Sequence, residues 1–134
     1  MTKDNWTKNG EKLVFEPGDI IFREGEKGDV AFIIEQGSVQ LTKKLKTKIS
    51  VVEILRDGAF ALPPLIDNYP RQYTATAREP TVLSIISREC FEKRFSNCDP
   101  VIQAVVHYLT RSLRQATDRL MTGGVLEQKN GDMR

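Results

Sequence analysis

The sequence predicts a mainly β fold, an antiparallel sandwich, roll or barrel, followed by a short helix and a long amphipathic one. Three observations carry this. From Lys12 to Ser87, short β-like runs are broken at regular intervals by turn residues. After Ser87 the apolar period changes from two to about 3.6. Asp99-Pro100 then combines a capping side chain with proline at a first helical position, a strong start signal.

Leu13–Phe15 precedes the Pro17-Gly18 turn, and Ile20–Phe22 follows it. Gly25 to Asp29 is a polar turn, and Val30 to Glu35 a strongly apolar strand. Gly37-Ser38 reverses the chain into Val39-Gln40-Leu41, which alternates apolar and polar as a half-buried strand does. Lys43, Lys44, Lys46 and Lys48 mark an exposed hairpin tip, read first as a solvated loop and second as a partner-binding patch. Ile49–Leu55 is a further strand, Asp57-Gly58 a turn, and Tyr73–Ala77 and Val82–Ile86 complete the set.

Ser87 is a good N-cap for the short helix, with Glu89 in the first turn and Phe91 and Phe95 on one face. The long helix should start at Pro100, run to about Met121 and stop at Gly123-Gly124. Its apolar positions Ile102, Val106, Leu109, Leu113, Ala116 and Leu120 advance by alternating steps of four and three, a heptad seam. Val101 and Val105 widen the stripe at its start, so Val101 to Val106 is expected to pack on the β domain. The Leu109 to Leu120 stretch is expected to be exposed and available to a partner or a second copy.

Composition bounds the rest. A chain of 134 residues, 40% hydrophobic and 28% charged, suits one globular domain without metal or disulfide staples. A net charge of +2 does not by itself argue for nucleic acid or an anionic membrane. Cys90 and Cys98 have no zinc-site pattern and read as free thiols in a reducing cytoplasm. No apolar run approaches a membrane span, and the start of the chain lacks a secretory signal pattern, so a cytoplasmic location is expected. Residues 1–11, which include Trp6, and 123–134 are polar and expected to be loosely ordered around a domain spanning 12–122, with strands in 12–87 and helices in 88–122. An enzyme is disfavoured: His107 is the single histidine, no nucleophile has a recognisable base partner, and no metal ligand set is visible.

The order of roll, short helix and long helix resembles the cyclic nucleotide-binding domain family. Phe15 to Gly25 looks like the opening of that family's β-roll or jelly roll, and Gly28 to Leu41 like its central hairpin. Val82 to Phe91 is similar to its exit strand and first helix. The resemblance covers about residues 12 to 122.

It also implies a ligand site. In the family, a cassette reading Phe-Gly-Glu-Leu-Ala-Leu and then Pro-Arg-Ala-Ala-Thr grips a cyclic phosphate and its ribose. Phe60 to Ala77 falls on it without a gap, and Phe60, Leu65, Pro70, Arg71 and Thr74 match. Arg71 would be the bidentate phosphate partner, a role that suits guanidinium. The alternatives are a surface arginine after a turn, or one capping a carbonyl. Ala61 stands where the family has glycine, and Leu62 where it has the glutamate that accepts the ribose 2′-hydroxyl. Pro63 and Pro64 lack N–H groups, and Pro64 falls on a residue whose N–H faces the phosphate. Gln72 and Tyr73 replace two alanines beside the phosphate.

The expectation is a non-catalytic regulatory module with no cofactor, in which binding of cAMP or cGMP is weakened or lost. Its output would run through the C-terminal helix (Leu109, Leu113, Ala116, Leu120) to a protein partner or a homodimer. The alternative is a genuine sensor of cAMP, cGMP or another anionic small molecule using Arg71. The family's transcription factors carry a winged helix-turn-helix after the long helix, so direct DNA readout is not expected of this sequence.

Overall fold

The computed structural model describes residues 11–122, with side chains as far as Arg119. The segments expected to be loosely ordered therefore lie outside the described residues, apart from the exposed Glu11, as does the Leu120 side chain. Eight strands and three helices follow one another as β1 (Lys12–Phe15), β2 (Ile20–Phe22), β3 (Val30–Gln36), β4 (Val39–Lys44), β5 (Ile49–Leu55), β6 (Ala59–Phe60), α1 (Pro63–Asp67), β7 (Thr74–Ala77), β8 (Thr81–Ser87), α2 (Arg88–Phe95) and α3 (Pro100–Thr122). The chain divides into two units between Cys98 and Asp99.

In the first unit the strands form two four-stranded antiparallel sheets, ordered β1-β8-β3-β6 and β2-β7-β4-β5. The inward faces of both sheets meet in one core. Val39 and Leu41 of β4 point into it while Gln40 and Thr42 do not, as the alternation predicts. Three phenylalanines from different strands stack at its centre, with ring centroids 5.3 Å apart for Phe32–Phe60 and 6.0 Å for Phe22–Phe32. A second, smaller cluster of Ala31, Leu65 and Ile86, joined by Ile33 and Phe91, lies on the opposite face of β3 and β8. These two strands are apolar on both faces because α1 and α2 seat on the second one.

The turn before β4 needs glycine. Gly37 has φ +97°, and a Cβ there would stand 2.6 Å from the Pro80 carbonyl oxygen. The cap assignments also hold: the Cys90 N–H donates to Ser87 Oγ at 3.1 Å, and the Val101 N–H to Asp99 Oδ1 at 2.7 Å.

Two expectations are corrected. Lys43 and Lys44 do not belong to the hairpin tip, because β4 continues through both and the reversal is closed at Leu45–Lys48. Lys43 is half-buried and bonded within the roll, since its loop partners Gln72 and Glu24 outweigh solvation of its ammonium. In the second unit, Val101, Ile102 and Val105 are exposed, at 67%, 51% and 47%, so the first turns of α3 are not covered as expected. The covered side of α3 runs instead through the half-buried Gln103 and Val106 and the buried Thr110 and Arg114, so polar positions rather than the two valines and Ile102 lie on it. Leu109, Leu113 and Ala116 are exposed as well. Among the described residues no helix is long and apolar enough to cross a membrane.

Candidate functional site

The segment from Gly58 to Ala77 is built on the phenylalanine stack. Phe60 buries its ring against Phe32, and the next residue must turn the chain out of the sheet. Ala61 does so in the left-handed region, at φ 63°, while remaining buried in the core. An L-residue pays roughly 1–2 kcal/mol for that conformation. Leu62 then occupies the N-cap of α1 with helical dihedrals and no side-chain cap bond, and its side chain is 37% exposed.

Pro63 and Pro64 hold the first two helical positions, where a missing N–H costs the helix nothing. The same choice removes two amides that a helix start would otherwise present. The next N–H, of Leu65, donates to the Leu62 carbonyl at 3.0 Å. The start of α1 therefore offers no free backbone donor over these three residues. At the other end Asn68, also left-handed at φ 63°, donates its N–H to the Pro64 carbonyl, and Asp67 accepts from the Tyr69 N–H at 3.1 Å.

Arg71 follows Pro70, and its backbone is clamped. Its N–H donates to the Glu26 carbonyl at 2.9 Å, and its own carbonyl accepts from the Gly25 N–H at 2.8 Å. The side chain turns inward and is only 6% exposed, which removes the surface-arginine alternative. Its guanidinium carbon lies 4.0 Å from the centroid of Phe22 and 5.8 Å from that of Phe32. Nη2 donates to the Val30 carbonyl at 2.9 Å, so the carbonyl-capping alternative holds for one nitrogen. Nη1 is sealed from solvent and has no partner. Burial lowers the Arg71 pKa from the usual arginine range, and the charges of Glu26 and Asp29 oppose that shift.

Gln72, Tyr73 and Thr74 are half-buried. Tyr73 packs on the core edge, and the Glu24 N–H donates to Thr74 Oγ1 at 2.9 Å. Lys43 donates to the Gln72 carbonyl at 2.9 Å and pairs with Glu24 at 3.0 Å, while Glu24 also accepts from the Lys44 N–H at 3.0 Å. Burial opposes ionisation of Glu24, but the Lys44 N–H and the Lys43 ammonium outweigh it and hold its pKa below the ordinary carboxylate value.

Sequence reasoning missed Glu24 and Lys43, and it missed Arg88. Arg88 opens α2, where the helix dipole disfavours a cation. That misplacement was the available signal. Its Nη2 donates to the carbonyls of Gly28 at 2.8 Å and Pro64 at 2.7 Å, and Nη1 to that of Leu65 at 3.3 Å.

Taken together, the segment offers one buried cation with an unused donor, framed by aromatic rings and by a helix start without donors. Among the described residues no group of three His, Cys, Asp or Glu side chains could hold a metal.

The chain is 37% identical over 89 residues to a cGMP-dependent protein kinase of Eimeria tenella, a match covering 66% of this chain and 8% of the kinase. It is 33% identical over 81 residues to a cAMP-dependent protein kinase regulatory subunit of Yarrowia lipolytica, covering 60% of this chain and 21% of the subunit. It thus spans only a small part of either relative. Among solved structures, the cAMP-bound form of the EAL enzyme Bd1971 matches with a TM-score of 0.75 and 31% identity, over 90% of this chain and 31% of that one. Residues 12–98 match the family described as the cyclic nucleotide-binding domain, and with the two-sheet roll and the order of its helices this establishes that the chain belongs to that family.

Proposed function

We propose that this domain is a non-catalytic, cytoplasmic regulatory module in which Arg71 is the anion contact and binding of ordinary cyclic nucleotides is weakened. The observation that carries the reading is the unpartnered, buried Nη1 of Arg71 beside a helix start without free amides. A buried donor left unmade costs about 1–3 kcal/mol, which an anion would recover. With no backbone donors at α1, however, a cyclic phosphate would gain little beyond that one guanidinium. Leu62 carries no acceptor for a ribose hydroxyl. A hydroxyl left unpaired costs on the order of 1–3 kcal/mol, which is roughly a tenfold to hundredfold loss of affinity.

Calorimetry with cAMP, cGMP and their 2′-deoxy analogues tests this on the wild type and on Arg71→Lys. Weak binding, nearly equal for ribo and deoxy forms and lost in Arg71→Lys, is the expected outcome. A strong preference for the ribo form would show that another acceptor serves the hydroxyl. Tight binding of either ribonucleotide would favour a genuine cAMP or cGMP sensor, a reading supported by the same orphaned donor and by the cAMP-bound state of the Bd1971 structure.

The output is assigned to α3. Its exposed Leu109, Leu113 and Ala116 share one face and suit a protein partner or a second copy.

A further inference from the structure

Arg71 and Arg88 lie on two sides of the same contact. A Cβ built on Gly28 would stand 2.8 Å from Pro64 Cβ, 3.0 Å from Arg71 Cζ and 3.1 Å from Arg71 Nη1. The Pro64 ring and the unpartnered nitrogen of Arg71 thus converge on one point beside the Gly28 backbone. Pro64 is itself buried. No anion reaches Nη1 while α1 stays where it is, because that atom is sealed.

What keeps α1 there is not its own hydrogen bonding. It is a five-residue helix that begins with two prolines and has no side-chain cap. Such a helix is marginal by itself. Its carbonyls are instead gathered by Arg88, whose guanidinium bonds Pro64, Leu65 and Gly28 together. The Arg88 N–H also donates to the Asp29 carbonyl at 2.9 Å, and its Nε faces Asp29 Oδ1 at 3.4 Å. One side chain therefore ties α1 and the loop before β3 to the first residue of α2. Its planar fork suits several carbonyls at once, where a lysine would supply a single point of contact.

We propose that Arg88 is a positioning residue that latches α1 as a lid over Arg71. An anion is admitted only when Arg88 releases the Pro64 and Leu65 carbonyls, and that release loosens the start of α2. The idea rests on the reading of Arg71 as the anion contact. Its test needs no ligand, so the two can fail separately.

The test is the rate at which phenylglyoxal modifies Arg71 in the full chain, read by peptide mass spectrometry against the exposed Arg78 as internal standard. Arg88→Gln removes the latch, and Gly28→Ala keeps the Arg88 side chain but crowds Pro64 and the Arg71 guanidinium apart. Both should raise Arg71 modification tenfold or more over wild type, with Arg88→Lys in between. Amide exchange at Cys90 and Phe91 should accelerate in Arg88→Gln while that in β3 and β8 does not. Should Arg88→Gln fail to fold, Arg88→Lys and Gly28→Ala decide alone. Unchanged Arg71 reactivity in folded variants overturns the lid. Reactivity that rises in Gly28→Ala but in neither Arg88 variant overturns the latch. A purely structural Arg88 would lower the unfolding midpoint and leave folded-state reactivity at the wild-type rate.

Discussion

The guanidinium of Arg71 lies 4.0 Å from the centroid of Phe22, inside the roll, with one nitrogen bonded to a strand carbonyl and another bonded to nothing. A buried arginine in this state is a cost to folding, offset in part by the aromatic faces beneath it. Arg71→Met is a direct probe. Methionine keeps dispersion contact with Phe22 and removes the orphaned donor, though it leaves the Val30 carbonyl without the Nη2 bond. Stability is expected to stay within about 1 kcal/mol of wild type, or to rise, while anion binding disappears. Urea unfolding and calorimetry on the same preparation check both halves. A loss beyond about 3 kcal/mol would instead make Arg71 a structural residue.

Ala61 separates backbone strain from packing. Ala61→Gly relieves roughly 1–2 kcal/mol of left-handed strain. It gives back about 0.4–1 kcal/mol in unfolded-state entropy and a further ~0.8 kcal/mol for the lost methyl. The expected net is near zero. Ala61→Val adds a β-branch to φ 63° in a filled core and should cost about 2–4 kcal/mol. Denaturant midpoints decide, and equal losses in both variants would point to packing rather than backbone.

Much of this is legible in the sequence itself. Ser87 and Asp99-Pro100 act through their own backbone neighbours, and Gly37 marks the turn before β4 by its positive φ, so residue types and spacing are enough to place α2, α3 and that turn. The alternation of Val39 to Thr42 likewise fixes which face of β4 is buried. The inward turn of Arg71 was not readable, because it depends on Phe22 and Val30, far away in sequence. Lys43 reads as part of a solvated lysine run because its partners, Gln72 and Glu24, come from loops elsewhere in the chain. Local chemistry places elements, and long-range pairing decides which charged groups are spoken for.

That pairing carries a pH signature. Glu24 has a pKa held below the ordinary carboxylate value, so its folded form prefers the ionised state. The stabilisation is fully present above the unfolded value of about 4.3 and is lost as pH falls through the folded one. The difference in urea midpoint between wild type and Glu24→Gln should therefore be constant near neutrality and shrink only on the acid side of the unfolded value. A difference that does not change with pH would show that Glu24 acts by packing and hydrogen bonding alone.

The exposed stripe of α3 makes the last prediction. Leu109 and Leu113 are 58% and 53% exposed, one turn apart on the seam, and burying each against a partner is worth about 1.5–3 kcal/mol. If a second copy covers this face, sedimentation equilibrium of the wild type should show self-association in the micromolar range. The pair Leu109→Glu and Leu113→Glu should abolish it, because two carboxylates per helix would face their counterparts across the seam. Helix content by circular dichroism should persist, since glutamate is a good helix former at exposed positions. A wild type that remains monomeric at about 100 μM would remove the second copy as the occupant and leave a different protein as the candidate for this face, because a stripe of this width is a costly surface to leave in water.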